Sequence, residues 1–340
     1  MKILLVMDPG ILVPPIGYGG HERLVYMFAL EYARLGHEVH LLVTTGSEVE
    51  GCTVHPFGKE GFPPNKWDAR KAIPTAWGFL WKHRNDFDLI HNFGRLAYLL
   101  PILNYPVKKI MTYGRIIDGR NIRLINRLPN KNIVFTAPSN WCVSTGNTAG
   151  SWEKVYNAID FSKYSFQEKV SDDAPLIFLS RLEKLKGAHD AIAIAKASGE
   201  KLIIAGNISQ LPEEKAYFRE EIEPHIDGTK IIYVGTLDDN GKNHYLGLAK
   251  AMLFPACTQE AFGMVMVESM ACGTPVIAFN HSAMPEVITD GVTGLIVENL
   301  SEMSDSIQKL RALSRKIVRS HALSLFDIKI IASKYLNLFN

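Results

Sequence analysis

The chain reads as an α/β protein built from two doubly wound parallel-sheet domains, and three observations lead there. At 340 residues it is too long for one ordinary domain and comfortable for two of about 160 each. Its 47% hydrophobic and 21% charged residues are the balance of a globular chain, which excludes disorder, collagen and coiled coil. Short β-branched runs alternate with amphipathic stretches along both halves, the pattern of βαβ units.

The first run, 2–7, stays apolar only until Asp8-Pro9-Gly10. It is too short for a secretory leader or for the ~18 residues of a membrane helix, so it reads as the first strand. Further strands are expected at 38–43, 53–57, 88–92, 108–112 and 133–137. Between the first two, Leu24, Val25, Phe28, Ala29, Tyr32 and Leu35 recur at helical spacing, and Gly36 ends that helix. The second half repeats the plan, with strands at 176–179, 201–205, 230–234, 252–254, 275–279 and 294–297. Its helices fall near 187–198, 212–222, 243–251, 263–272 and 301–314. The expected division is therefore 1–160, 161–325 and a C-terminal helix within 326–340 that could pack back on the first domain.

Cys52, Cys142, Cys257 and Cys272 are far apart, with no C-x-x-C pair. That spacing points to a reduced, cytoplasmic setting and away from zinc or a disulfide framework. Net charge is +2, yet residues 1–165 hold 19 Lys/Arg against 13 Asp/Glu while the remainder holds 18 against 22. A basic first half suits an anionic partner such as a membrane face, although surface charge also drifts without function. No nucleic-acid partner is expected.

Ligands of open α/β sheets bind beyond the carboxyl ends of the strands, so the chemistry is sought in the loops there. The most informative stretch is 254–276. A strand ends at Phe254-Pro255, and a helix opens near Gly263 and stops at Gly273-Thr274-Pro275. The free amides of Gly263, Met264 and Val265 make an anion site by geometry and dipole. Glu260 precedes them and Glu268 follows eight residues on; carboxylates near a bound anion point to hydroxyl groups as their partners. On spacing alone Glu260 serves equally as a helix-capping acid and Glu268 as a solvated one. Arg181 and Lys186, five apart between a strand and a helix, suit a diphosphate, or else belong to a solvated basic loop with Lys184. His91 ends the fourth strand and is a candidate at the site edge, or a satisfied strand-end histidine. Asp86-Phe87-Asp88 has the D-x-D form of a metal site but precedes its strand, so no metal is expected. Gly19-Gly20 follows the first strand without the G-x-G-x-x-G pattern, which disfavours a nicotinamide dehydrogenase.

Several segments together resemble family 4 of the retaining nucleotide-sugar glycosyltransferases. They are Glu260-Ala261-Phe262-Gly263 through Glu268, then Ala271-Cys272-Gly273-Thr274-Pro275-Val276, and further on Met284-Pro285-Glu286-Val287-Ile288 and Asp290-Gly291-Val292-Thr293-Gly294. Ser180-Arg181-Leu182-Glu183-Lys184-Leu185-Lys186-Gly187 and the N-terminal loop Gly17-Tyr18-Gly19-Gly20-His21-Glu22 extend the likeness to both domains in order. The resemblance implies a GT-B fold, two Rossmann-like domains facing across a cleft, the first for the acceptor and the second for the nucleotide sugar. It implies transfer of a hexose-type sugar from a UDP or GDP donor to a hydroxyl of a carbohydrate, lipid-linked or small-molecule acceptor. Cell-surface polysaccharide, lipopolysaccharide, glycolipid or secondary-metabolite synthesis is the implied setting.

Under the same resemblance Arg181 and Lys186 hold the diphosphate, Glu260 positions the donor sugar and Glu268 the ribose. Phe262, Gly263, Met264 and Val265 lie at the donor, and Gly19 with Gly20 lets backbone approach the diphosphate. Gly206 and Gly235 hold the nucleobase through backbone, or are simple turns. No cofactor beyond the donor, and no metal, is implied. The family often carries histidine in a T-x-H-G context after the fifth strand; here the segment is Met111-Thr112-Tyr113-Gly114. Tyr113 donates a hydrogen bond but cannot carry an imidazolium charge. A nucleotide-sugar epimerase or a non-catalytic nucleotide-sugar binder on the same fold are the alternatives. Finally, 115–131 interleaves Arg115, Arg120, Arg123, Arg127 and Lys131 with Ile116, Ile117, Ile122, Leu124, Ile125 and Leu128. It reads as an amphipathic surface helix, or as a peripheral contact with the inner face of a membrane.

Overall fold

The computed structural model describes residues 1–17, 19–61, 66–128, 132–146 and 150–339. It divides into two compact units, Met1–Ala158 with Ile328–Asn340, and Ile159–Asp327.

Among the described residues the first unit holds one seven-stranded sheet in the order β3-β2-β1-β4-β5-β6-β7. The strands are β1 (Lys2–Val6), β2 (Glu38–Val43), β3 (Thr53–Pro56), β4 (Leu89–Asn92), β5 (Lys108–Thr112), β6 (Ile133–Ala137) and β7 (Trp152–Lys154). Neighbours pair in parallel throughout. Six of these strands are legible as apolar runs; β7 is not. Its three residues form an edge that needs only backbone pairing to β6, so it carries no run of its own. Helices α1 (Gly20–Arg34), α2 (Lys66–Lys82), α3 (Gly119–Asn126) and α4 (Asn140–Gly146) cover the sheet. The sequence conceals α2 because Pro74 lies inside it, where proline removes a backbone donor. The C-terminal helix (Ile328–Leu336) returns to this unit, with Tyr335 edge-on to Phe28 at 5.2 Å between ring centres.

His91 belongs to that core and not to the edge of a site. Its side chain is 0% exposed. Nδ1 lies 3.3 Å from the Tyr32 hydroxyl and Nε2 2.8 Å from Thr112 Oγ1, and the ring stacks on Phe93 at 4.1 Å. The strand continues one residue beyond it, so its side chain projects from the sheet face into covering helices instead of past the strand end. Burial pushes its pKa down to about 3, far too low for proton transfer at neutral pH.

The second unit holds a six-stranded parallel sheet, order β10-β9-β8-β11-β12-β13. Its strands are β8 (Leu176–Leu179), β9 (Leu202–Ala205), β10 (Ile231–Tyr233), β11 (Ala251–Phe254), β12 (Val276–Phe279) and β13 (Gly294–Val297). β8, β9 and β11 are buried along their whole length, as expected of a parallel sheet covered on both faces. The helices are α5 (Ala188–Ser198), α6 (Pro212–Tyr217), α7 (Asp239–Leu248), α8 (Met264–Ala271), α9 (Met284–Val287), α10 (Leu300–Ser306) and α11 (Arg315–Phe326). Two of the expected helices are redrawn. The 243–251 helix opens at Asp239, because the Asp238 side chain caps it by accepting from the Gly241 amide at 2.7 Å. The 301–314 helix tightens after Ser306 and gives way to α11, which Ser314 caps.

Strand order reverses between β1 and β4 in the first unit and between β8 and β11 in the second. Those reversals open the crevices that ligands use in such sheets.

Because His91 is neutral when folded and protonates readily when unfolded, its contribution is present above the ordinary imidazole value of 6.5 and is lost as pH falls toward about 3. Below pH 6 this one group should remove up to about 1.4 kcal/mol of unfolding free energy per pH unit. Urea titrations of wild type and His91→Gln between pH 7 and 5 measure it: the variant should show the shallower slope, and equal slopes would contradict the assignment.

Candidate functional site

At the reversal point of the second unit, β8 leads into Ser180–Gly187 and β11 into Pro255–Gly263. The two loops meet through Lys186 Nζ and Glu260 Oε2, 2.5 Å apart, with side chains 13% and 22% exposed. Backbone stitches them together: the Cys257 amide donates to Leu185 O at 3.1 Å. Gly187, at φ +79°, lies so close that a Cβ there would stand 2.6 Å from Pro255 O. Arg181 projects further into solvent and reaches Glu183 Oε1 at 2.5 Å through Nη1.

The Glu260 loop ends at Gly263, which caps α8 in the left-handed region at φ +82°. Met264 and Val265 open the helix and are half-buried. Amides of a first helical turn have no partner within the helix and face outward along its axis. Phe262, expected at the donor, is 2% exposed and meets Phe326 edge-on at 5.6 Å. Its ring anchors the loop in the core, so it places Glu260 and Gly263 and does not itself line the site.

Glu268 is not a solvated acid. It is 3% exposed, and both its oxygens are held by Lys242 Nζ, at 3.2 and 3.0 Å. Lys242 is absent from the residues the sequence singles out, because a helix starting at 243 leaves it in a loop. The Asp238 cap is the signal that places it in the first turns of α7. Neighbouring Cys272 is buried and its thiol is pushed up to about 12 by that burial, so it is no nucleophile.

Gly206 and Gly235 follow β9 and β10. Gly206, at φ +149°, would place a Cβ 1.7 Å from Ser180 O. Its amide donates to Gly235 O at 2.9 Å and its carbonyl accepts from the Tyr233 hydroxyl at 2.9 Å. Close approach of β8 is what demands glycine at 206, and its amide is already spent. Gly235, at φ +75°, has open space beside it.

In the first unit a polar cluster gathers at the β1–β4 reversal. Asp8 Oδ1 accepts from the Tyr98 hydroxyl at 2.7 Å, with Arg95 Nε at 3.7 Å and Arg115 Nη2 at 3.8 Å from the carboxylate. Gly19 caps α1 at φ +143°, where a Cβ would press on Pro15; Gly20 begins the helix with empty space beside it. Glu22 is 7% exposed, and burial, with Asp8 nearby, raises its carboxyl above the usual range. Burial and then Arg115 lower the His21 imidazole, whose ring lies against Gly114: a Cβ there would be 1.8 Å from Nε2. An imidazole therefore does stand beside the end of β5, supplied from α1. Tyr113 itself is half-buried near Trp152, 5.8 Å between rings, and burial raises its phenol. Asp8 and Arg95 escape the sequence reading, and His21 and Glu22 enter it only as part of the N-terminal loop, because single polar residues in loops and at helix starts have no period.

Asp86 and Asp88 lie at the amino end of β4, bonded to His83 Nδ1 and to the Lys2 amide, each at 2.7 Å. Among the described residues no group of three or more His, Cys, Asp and Glu could hold a metal. Nor is any described helix long and apolar enough to cross a membrane. Around α3, Ile117, Ile122 and Ile125 are buried while Ile116, Leu124 and Leu128 are exposed beside Arg120 and Arg123. The last part of the 115–131 stretch lies outside the described residues.

Two family profiles match the chain: that described as Glycosyl transferases group 1 over residues 160–319, and Glycosyltransferase Family 4 over 18–130. The lipopolysaccharide 1,2-N-acetylglucosaminetransferase of Salmonella typhimurium is 27% identical over 373 residues, covering 98% of this chain and 94% of that one. The phosphatidyl-myo-inositol mannosyltransferase of Propionibacterium freudenreichii is 34% identical over 103 residues, 30% of this chain and 26% of the relative. An uncharacterized protein in the cps region of Klebsiella pneumoniae matches at 28% over 167 residues, and the chain spans 44% of its length. Among solved structures, the avilamycin A biosynthesis glycosyltransferase superposes with a TM-score of 0.69 at 23% identity, covering 98% and 96% of the two chains. Anabaena HepE in complex with UDP and glucose gives 0.72 at 19% identity, covering 99% and 98%. The fold is thus the GT-B class of paired Rossmann-like domains. With both units matched in order, the chain belongs to the group 1, family 4 glycosyltransferases.

The contrast between the two strand-end glycines is testable by thermal unfolding. Gly206→Ala, which drives a methyl into Ser180 O, should cost about 3 kcal/mol or more. Gly235→Ala, strained only in backbone, should cost about 1 kcal/mol. Equal losses would contradict the close approach.

Proposed function

We propose that the chain is a retaining glycosyltransferase that moves a hexose-type sugar from a nucleoside diphosphate to an acceptor hydroxyl without a metal. The observation that carries this is the Lys186–Glu260 pair at the β8–β11 reversal, set beside the N-terminus of α8. Cation, carboxylate and helix amides converge there, as a ligand that is a diphosphate at one end and a polyol at the other requires.

In this reading Lys186, Arg181 and the amides of Gly263, Met264 and Val265 stabilise the diphosphate as negative charge grows on it during bond cleavage. Lys186 is already ordered by Glu260, so its charge is in place before the donor arrives. Glu260 accepts hydrogen bonds from donor-sugar hydroxyls, and Glu268 from the ribose. Asp8 is engaged by Tyr98 and Glu22 is buried, so neither is presented as a nucleophile. That favours departure of the diphosphate and attack on the same face, through an oxocarbenium-like state. UDP in the HepE complex supports a uridine donor, and the lipopolysaccharide and phosphatidylinositol relatives support a cell-surface or lipid-linked acceptor. The exposed leucines and arginines around α3 would bring the protein to an anionic membrane face where such acceptors lie. With His91 in the core, an epimerase loses one of its few acid–base candidates.

Lys186→Ala should lower turnover at least ~100-fold, the scale of removing one group that stabilises transition-state charge. Initial rates of nucleoside-diphosphate release from a nucleotide sugar measure it. Near-normal turnover in a folded variant would sink the assignment.

A further inference from the structure

Glu268 occupies the second turn of α8, where Met266, Val267, Ser269, Met270 and Ala271 are all 0% exposed. Against this sealed stretch Lys242 brings one ammonium to both carboxylate oxygens, 3.2 Å from Oε1 and 3.0 Å from Oε2. The two side chains are 18% and 4% exposed. Folding alone does not call for such a pair, since apolar residues of similar volume in place of a buried ion pair are often neutral or stabilising. Lys242 is itself well placed by local structure: it lies one residue past Gly241, whose amide binds the Asp238 cap. A single ammonium shared by both oxygens fixes the plane and direction of the carboxylate. It also leaves lone pairs on each oxygen for further donors. Two fixed acceptor oxygens side by side match two neighbouring hydroxyls.

We propose that Lys242 is a positioning residue of the donor site: it orients Glu268 to accept from the 2′ and 3′ hydroxyls of the nucleoside diphosphate, and so makes the site select ribonucleotides over deoxyribonucleotides. This rests on the donor reading of Glu268 given above. Lys242 then acts through Glu268 and does not touch the nucleotide.

The test is calorimetric titration of the full chain with UDP, GDP and ADP, and with the 2′,3′-dideoxy form of whichever binds. Wild type should prefer the ribonucleotide by ~10-fold or more, the scale of leaving a buried acceptor unpaired. Lys242→Met should reduce that preference below ~3-fold while leaving the dideoxy affinity unchanged. Adding Lys242→Met to Glu268→Gln should alter neither affinity. That double variant also removes both buried charges, which keeps the comparison open should the single variant fail to fold. Equal weakening of both nucleotide forms, or an unchanged preference, would overturn the role of Lys242 while leaving the donor site standing. Binding of none of the three nucleotides would overturn the donor reading, and this inference with it.

Discussion

The second unit is organised around one contact, the 2.5 Å ion pair between Lys186 and Glu260. It joins the loops that leave β8 and β11, the two strands between which the sheet reverses its order. Everything nearby serves to keep that contact in place. Gly187 allows the loops to touch, the Cys257 amide ties them, and Phe262 pins the far end of the Glu260 loop into the core against Phe326. The result is a cation and a carboxylate, each mostly withdrawn from solvent, at the start of a helix whose dipole favours an anion.

A second lysine–glutamate pair, Lys242–Glu268, repeats the arrangement deeper in α8. Both glutamates that the motif supplies are therefore matched by a lysine from another element. Pairing in this way lowers the cost of withdrawing carboxylates from water and holds them in one orientation. Such order before the ligand arrives is what electrostatic stabilisation of a leaving group requires, because charges that need not reorganise act at full strength. The first unit shows a similar economy at its own reversal, where Asp8, Tyr98, Arg95 and Arg115 cluster beside the start of α1.

Much of this was legible in the amino-acid order. Parallel strands buried on both faces leave long apolar runs, so the central strands and their sequence are plain. The E-x7-E spacing and the Arg181–Lys186 spacing are local, and the loops that carry them fold as their residue types suggest. What stayed hidden has physical causes. β7 pairs only at an edge, and α2 contains Pro74. Lys242 is one residue outside the helix expected from 243, and only the Asp238 cap, which starts that helix at Asp239, brings it inside. His91 looks like a site residue because it stands near a strand end, and Phe262 because it lies in the motif at the start of α8, but side-chain direction makes both core. His21 follows the glycines of the N-terminal loop, and only its packing against Gly114 shows where its ring goes.

The most direct measurement is calorimetric titration of the protein with UDP, GDP and ADP, with Arg181→Ala as control. Micromolar binding of one nucleotide, weakened strongly in the variant, is the expected result and would establish the β8–β11 reversal as the donor site. A folded protein that binds none of the three, or binds one equally well without Arg181, would contradict it.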